Sequence, residues 1–373
     1  MRRAAFLLLI GAVPAAAQGP GAGIGTTARS GVIFEAYSLG SGLAFTSIRE
    51  LTVPVSVFQR FGDRLTVDVS TAFASASVKT VSNGDLTLSG LVDTDIRAAY
   101  TAIPGRLTLT LVGTAPTGKA TVPDSVLPLF GALATDLLDF STPSFGGGGG
   151  LTGGAASAFK LGQNWAFGVA ASYHYTANYI PVTGGGTLSP GDDIRVRLGT
   201  EGPLGGGKYF RGAFVFTASG HDTVAGGSSA FAGDRVLLYS MMSMPVGRSS
   251  LSIYAFDMLR LLARGVPTTS SGAVAIPKGN VLSLGARLDR PLSPVLTLSP
   301  HVDFRHELSG ADTTSGLSLL GYLVRPGADL RWRFSSQAAL VFQGQLAFGS
   351  LHDNNQAISL LGPRLSALVE WNR

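Results

Sequence analysis

The sequence predicts an all-β fold, an antiparallel up-and-down transmembrane β-barrel of 16 strands, with 14 strands as the alternative. Three observations predict it: an export signal, a composition rich in glycine and poor in charge, and an alternation of apolar and polar side chains that recurs to the last strand. The 373 residues include 50 glycines, no cysteine and only 14% charged side chains. This is too much glycine for a helical globule and too apolar for a disordered chain.

Residues 1–17 have the features of a secretory signal peptide. Arg2 and Arg3 form a basic start, residues 4–13 are apolar, and residues 15–17 form a cleavage site of small side chains. The apolar run is shorter than the roughly 20 residues that a helix needs to cross a bilayer. A membrane location then requires a closed barrel, because only helices and barrels pair their backbone groups in lipid. We expect residues 18–30 to be a short periplasmic tail.

The alternation assigns residues 31–373 to the barrel. In residues 65–70, for example, Leu, Val and Val alternate with Thr, Asp and Ser, so the two sets face opposite sides of a strand. Short turns, such as residues 104–106, alternate with longer connections, such as residues 119–145. Short periplasmic turns and longer outer loops are typical of outer-membrane barrels, and counting them gives the strand number.

The last strand supports the same location. Its apolar residues alternate with polar ones up to Trp371, and only two residues follow. Outer-membrane barrels resemble one another in ending on an aromatic residue that the barrel-assembly machinery reads. We therefore expect this machinery, together with outer-membrane lipid, to be a partner of the chain.

Charged residues of both signs share the inward parity of the predicted strands. Opposite charges on neighbouring strands can pair and stiffen the wall, and rings of charge can also select solutes. Both interpretations are open for the lumen-facing set, which is Asp93, Asp95, Arg97, Asp193, Arg195, Arg197, Arg287, Asp289, Asp303, Arg305, Glu307, Asp329, Arg331 and Arg333.

The longest connection contains an apolar segment with helical spacing. Residues 125–140 repeat apolar side chains at this spacing, and Ser125 is a plausible N-cap. The helix could fold into the barrel mouth and gate or bind an apolar solute, or it could pack over the barrel rim. The candidate gate or binding residues are Leu129, Phe130, Leu133 and Leu137.

The candidate catalytic and metal-binding residues do not favour an enzyme. Without cysteine the chain has no disulfide or thiolate metal site, and its five histidines lack metal-ligand spacing, so we expect no metal and no cofactor. His301 and Asp303, two residues apart on one predicted strand, share its inward face and could suggest a membrane-embedded hydrolase. Basic and acidic residues are intermixed, so the formal charge of +5 predicts no nucleic-acid partner.

Residues 88–97, followed by residues 107–111 and 115–119, resemble outer-membrane transporters associated with meta-pathway phenol degradation. That family is similar in turn to the long-chain fatty-acid transporter barrels. The resemblance implies passive uptake of small apolar or aromatic molecules and no enzymatic activity. The hatch-like N-terminal extension of the fatty-acid transporters is not expected here, so their gating is not implied. A hydrolase using His301 and Asp303, or a structural barrel with a blocked lumen, are the alternatives.

Overall fold

A computed structural model describes residues 25–82, 84–224, 229–231, 233–262, 273–275, 278–310, 318–353 and 356–373. The predicted signal peptide lies outside these ranges, as do residues 18–24 of the predicted tail. The strands are β1 (Thr26–Leu39), β2 (Phe45–Phe61), β3 (Leu65–Thr80), β4 (Asp85–Leu91), β5 (Thr94–Ile103), β6 (Leu107–Ala115), β7 (Gly150–Leu161), β8 (Trp165–Thr176), β9 (Leu188–Ser189), β10 (Asp193–Gly205), β11 (Lys208–Ser219), β12 (Asp222–Val224), β13 (Ser229–Phe231), β14 (Arg235–Val246), β15 (Ser249–Arg260), β16 (Ala273–Ala275), β17 (Lys278–Ser293), β18 (Leu296–Gly310), β19 (Ser318–Arg333), β20 (Ala338–Asp353) and β21 (Gln356–Asn372).

The large sheet closes on itself. β1 pairs on one side with β2 and on the other with β21. Seventeen strands belong to this sheet, but β4 and β5 both pair with β3 and together fill one position of the wall. The described residues therefore form a wall of sixteen positions, which confirms the predicted number and excludes fourteen. β9, β12, β13 and β16 form a separate four-stranded sheet in the long connections.

The barrel begins earlier than predicted. β1 starts at Thr26 rather than at Gly31, so residues 26–30 belong to the wall and not to the tail. The physical reason is that these residues find backbone partners on both sides. Thr26 lies opposite Gln59 of β2, and Thr27 lies opposite Asn372 of β21. Thr26 and Asn372 therefore lie at the end of the barrel that carries the short turns, which is the periplasmic end.

The wall separates an apolar exterior from a polar interior, as the alternation predicts. Outward side chains such as Leu109, Leu111 and Phe342 remain 45%, 51% and 45% exposed. Water does not tolerate a continuous apolar belt of this kind on a monomer, whereas lipid requires one. The closed barrel and its apolar exterior place the protein in the bacterial outer membrane.

Aromatic side chains border the periplasmic end of the belt. Trp165 and Phe210 lie with ring centroids 6.2 Å apart, and Trp332 and Phe334 lie 5.8 Å apart. Trp371, at the end of β21, is exposed on the same outer face. Rings of this kind sit at the boundary between hydrocarbon and headgroups, so they mark the level of the membrane surface.

The helix in the longest connection is shorter than predicted. Instead of spanning residues 125–140 it occupies Leu127–Leu133 (α1), after a 3-10 turn at Asp124–Val126. The hydroxyl of Thr135 donates to the carbonyl of Ala132, which competes with helical pairing at this end. Asp139 then adopts a φ of 59°, a left-handed conformation that no continuing helix permits. Within the described residues, no helix has the length and apolar character to cross a bilayer.

Candidate functional site

The connection between β6 and β7, residues 116–149, folds into the barrel and is called the inward loop below. Its apolar residues pack against inward side chains of β1–β4 and β19–β21, which form the packed side of the lumen. Leu129, Leu133 and Leu137 are fully buried, while Phe130 is half-buried with its ring centroid 6.1 Å from that of Phe145. Burial of each leucine stabilises the docked loop by about 1.5–3 kcal/mol. Of the two placements that the sequence left open, the loop takes the one inside the barrel.

One aspartate of the inward loop is held by three arginines of the wall. A carboxylate oxygen of Asp139 lies 3.0 Å from Arg305 and 3.3 Å from Arg325, and its carbonyl accepts from Arg364 at 3.5 Å. Burial alone would raise the pKa of Asp139, but Arg305, Arg325 and Arg364 hold the pKa of this carboxyl below its ordinary value. The carboxylate therefore stays charged, and the cluster fastens the loop to β18, β19 and β21.

A second aspartate extends the attachment to the neighbouring wall. Asp136 forms an ion pair with Arg260 of β15 at 2.8 Å, and its carbonyl accepts from Arg305 at 2.7 Å. Arg305 also lies 5.4 Å from the ring centroid of Phe256. The loop is thus held by charged contacts to β15, β18, β19 and β21 and by apolar contacts to β1–β4 and β19–β21.

Two buried glutamates of the first hairpin hold the loop backbone. Glu35 accepts from the amide of Ser141 at 2.8 Å, and Glu50 accepts from the amide of Thr142 at 2.8 Å. The two glutamates are register partners on β1 and β2, an arrangement in which like charges repel. Arg364, 3.4 Å from Glu35, and the loop amides offset that repulsion. The amides of Ser141 and Thr142 therefore stabilise two buried carboxylates of the wall.

Asp93 anchors the two limbs of the inward loop where they enter the barrel. It lies at the break between β4 and β5, and its carboxylate accepts from the amides of Gly118 at 3.0 Å and Gly147 at 2.7 Å. A Cβ on Gly118 would lie 1.9 Å from the carbonyl oxygen of Phe145, so this close approach requires glycine. Asp93 belongs to the predicted lumen-facing set, and the structure gives it this anchoring position.

Several of the other predicted lumen residues form ion pairs along the wall. Arg287 pairs with Asp289 at 2.7 Å and also with Asp329, and Arg331 pairs with Glu370 at 2.8 Å. These contacts have the geometry of the predicted salt-bridge lattice.

The remaining predicted residues have other partners. Asp193 lies 3.8 Å from Arg235, Asp95 accepts from Thr114, and Asp303 accepts from Tyr254. Arg97 lies opposite Asp68 in the ladder, Glu307 is buried on β18, and Arg333 lies exposed at the periplasmic end of β19. Arg195 and Arg197 stand on β10 without an ion pair to any described residue.

His301 and Asp303 do not form the pair that a hydrolase would need. The Nδ1–H of His301 donates to the carbonyl of Ser299 at 3.2 Å, and its Nε2 accepts from Gln345 at 2.7 Å. Asp303 is engaged with Tyr254 instead. Both ring nitrogens of the histidine are therefore occupied, and its side chain is only 6% exposed.

Sequence reasoning missed most of the residues that hold the loop. These are Glu35, Glu50, Asp136, Asp139, Arg260, Arg325 and Arg364. A signal was present for the glutamates, since each stands between uncharged residues of its inward row, Ile33 and Tyr37 for Glu35 and Ile48 and Thr52 for Glu50. For Asp136 and Asp139 the surrounding leucines suggested only a helix.

Comparisons with known proteins find distant fold similarity. No family model matches the chain, and no curated protein matches it. An outer-membrane channel from Pseudomonas putida F1 is 12% identical, with 96% of this chain and 99% of that chain covered and a TM-score of 0.40. The deltaS2 mutant of the TodX monoaromatic hydrocarbon channel is 12% identical, with coverages of 96% and 92% and a TM-score of 0.44. OccK5 of Pseudomonas aeruginosa is 12% identical, with coverages of 93% and 98% and a TM-score of 0.45. These similarities are too distant to assign a function to this chain.

Proposed function

We propose that the protein is a passive outer-membrane channel whose lumen is narrowed from one side by the inward loop. The observation that carries this proposal is the one-sided packing of the loop. Its apolar cluster contacts β1–β4 and β19–β21, and no described residue of β5–β8, β10, β11 or β14 belongs to that cluster. We call the inner face of the latter seven strands the open side of the lumen.

The side chains of the open side support passage rather than packing. Most inward residues of β6–β8 are small, as in Thr110, Gly154, Ala170 and Ser172. Small inward side chains in a barrel of this size leave space for water and solute, whereas the closed core of a small barrel is filled by large apolar ones. A blocked structural barrel would need such filling on this side as well.

The solutes are proposed to be small molecules with an apolar or aromatic part. The buried leucines of the inward loop offer no surface for them, because they are sealed against the packed side. Contact would come instead from the wall, where Tyr239, Tyr254 and Phe256 share the inward parity of β14 and β15. Aromatic side chains of this kind stack with a ring-shaped solute without fixing it in place.

We propose that the protein lets its solutes pass without catalysing a reaction on them. The histidine that a hydrolase would use has both ring nitrogens engaged, and a general base needs a free nitrogen within hydrogen-bond reach of the substrate. If His301→Ala abolished the turnover of a lipid or peptide substrate by purified protein, the hydrolase would replace the channel as the proposed function.

Planar-bilayer recording tests the channel. Wild-type protein should give discrete single-channel conductance, and a loop-deleted form should conduct more. A Cβ on Gly146 would lie 2.9 Å from the amide nitrogen of Ala120, so the limbs are adjacent and residues 121–145 can be removed with Ala120 joined to Gly146. Heat-modifiable migration on a gel checks that the barrel still closes. Absence of conductance in both folded forms would instead indicate a blocked barrel.

A further inference from the structure

We propose that the open side of the lumen selects solutes that carry a negative charge, with Arg195 and Arg197 as the residues that meet it. The simplest chemical class is a small carboxylate whose remaining part is apolar or aromatic. This inference rests on the proposed channel function and specifies the solute of the same passage. It is carried by two neighbouring arginines of β10 that have no ion pair to a described residue and no acid as a register partner.

The orientation of the two arginines follows from their neighbours on β10. Ile194 and Leu198 are 54% and 37% exposed on the outer, lipid-facing side. Successive strand residues alternate in direction, so Arg195 and Arg197 point into the lumen. Arg197 is exposed there, and the Nε of Arg195 is buried without a hydrogen-bond partner among the described residues. A buried donor of this kind is costly to leave unpaired.

Three other inward arginines form ion pairs with acids. Arg211 donates to Glu201 at 2.8 Å, Arg287 to Asp289 at 2.7 Å, and Arg331 lies 2.8 Å from Glu370. If Arg195 and Arg197 served only to stiffen the wall, acids on β8 and β11 would be the expected partners. Their register partners are instead neutral: Ser172 and Thr217 flank Arg195, and Ala170 and Val215 flank Arg197.

The positive charge continues along the same row of the wall. Thr217, beside Arg195, is the register partner of Arg235, which in turn lies opposite Arg260. The acids near this row are already engaged, Asp193 lying 3.8 Å from Arg235 and Asp136 2.8 Å from Arg260. The row therefore keeps a net positive charge from Arg195 and Arg197.

Charge in a narrowed, low-dielectric passage acts strongly on permeating ions. Walls of low dielectric constant focus the field, and rings of arginine favour anions. A guanidinium also binds a carboxylate through two parallel hydrogen bonds, which a lysine cannot do. The small side chains of Ser172 and Ala170 leave room beside each arginine for such a group.

The test is the reversal potential of purified full-length channels in planar bilayers under a potassium chloride gradient. Wild-type channels should pass chloride over potassium by about threefold or more, as expected for an arginine-lined constriction. Arg197→Gln should reduce this ratio, and the double change Arg195→Gln with Arg197→Gln should bring it close to unity. Arg248→Gln removes the same charge from an exposed periplasmic turn and should leave the ratio unchanged.

The outcomes separate this inference from the channel proposal. Conductance with a cation preference, or with a chloride preference that both glutamine changes leave intact, overturns the inference while the channel stands. Absence of conductance overturns the channel itself. Arg197 is exposed and has no described partner, so Arg197→Gln tests the inference even if the double variant fails to fold.

A pair of solutes extends the test to organic molecules. Benzoate and benzyl alcohol have nearly the same size and ring, but only benzoate is charged at pH 7. Proteoliposomes that contain the wild type should take up benzoate several-fold faster than proteoliposomes that contain the double glutamine variant. The uptake rate of benzyl alcohol should be the same for both. Equal effects of the variant on both solutes would overturn the assignment of the arginines to solute charge.

Discussion

The packed side joins its arginines to acids of the wall and the loop, whereas the open side also contains two arginines without an acid in the described part of the chain. On the packed side, arginines and acids of wall and loop neutralise one another, as in the pairs of Arg325 with Asp139 and of Arg364 with Glu35. On the open side, Arg195 and Arg197 have no such partner among the described residues. A paired charge in a low-dielectric setting holds structure together, whereas an unpaired one is available to a ligand. The difference suggests that the same residue type fastens the loop on one side and meets solute on the other.

Leu133→Asp should have the largest effect on the packed side. Leu133 is 1% exposed in the apolar cluster, and a buried unpaired carboxylate costs more than the docking of one short helix can supply. The loop should leave its place, with a severalfold rise in single-channel conductance and cleavage of the loop by added protease. The control introduces the same carboxylate elsewhere on the wall. Leu109 faces lipid and is unsuitable for this purpose, so the control variant is Thr108→Asp, on the inner face of β6. A variant with unchanged conductance and intact protease resistance would show that the cluster does not hold the loop.

Asp139→Asn should have the next largest effect. It leaves Arg305 and Arg325 buried without the carboxylate that pairs them, and breaking a buried ion pair costs about 3–5 kcal/mol. We expect frequent transitions to a higher-conductance level at pH 7, with the barrel itself intact by heat-modifiable migration. Asp63→Asn, in an exposed periplasmic turn, is the matched control.

The pH dependence of the wild type follows from the same carboxyl. Because the pKa of Asp139 is lowered in the folded protein, its contribution to docking is complete above the ordinary aspartate pKa of about 4 and is lost as the pH falls through the lower folded-state value. The single-channel conductance should therefore be the same at pH 7 and pH 5. The higher-conductance level should appear only in more acidic buffer. An opening transition between pH 6 and pH 7 would contradict the assignment to Asp139.

Ala170→Phe should have the smallest effect, confined to the open side. Ala170 faces inward beside Arg197, so a phenyl ring there should narrow the passage and lower the conductance, by about half, without disturbing the loop. Ala171→Phe, the next residue, faces lipid and should change nothing. If both variants conducted like the wild type, solute would not pass along the small side chains of β6–β8.

The sequence predicted the wall better than the contents of the barrel. The alternation of residues such as Ile194, Arg195 and Val196 gave the inward and outward faces, and the turns gave sixteen positions. The extra pairing of residues 26–30 was not predicted, since their apolar residues are few and their partners are distant in sequence. The helix of the inward loop was overextended because spacing alone does not reveal the left-handed backbone at Asp139.

What the sequence alone determined is the barrel: its strands, its lipid-facing parity and the charged character of its interior. These are local properties, because a strand repeats every two residues and lipid sorts the two faces. The tertiary structure decided where the inward loop lies and which charges are paired. Glu35 meets Ser141, and Arg364 meets Glu35, across separations of more than a hundred residues. No local pattern encodes such contacts, since they arise only when the closed wall brings distant strands around one lumen.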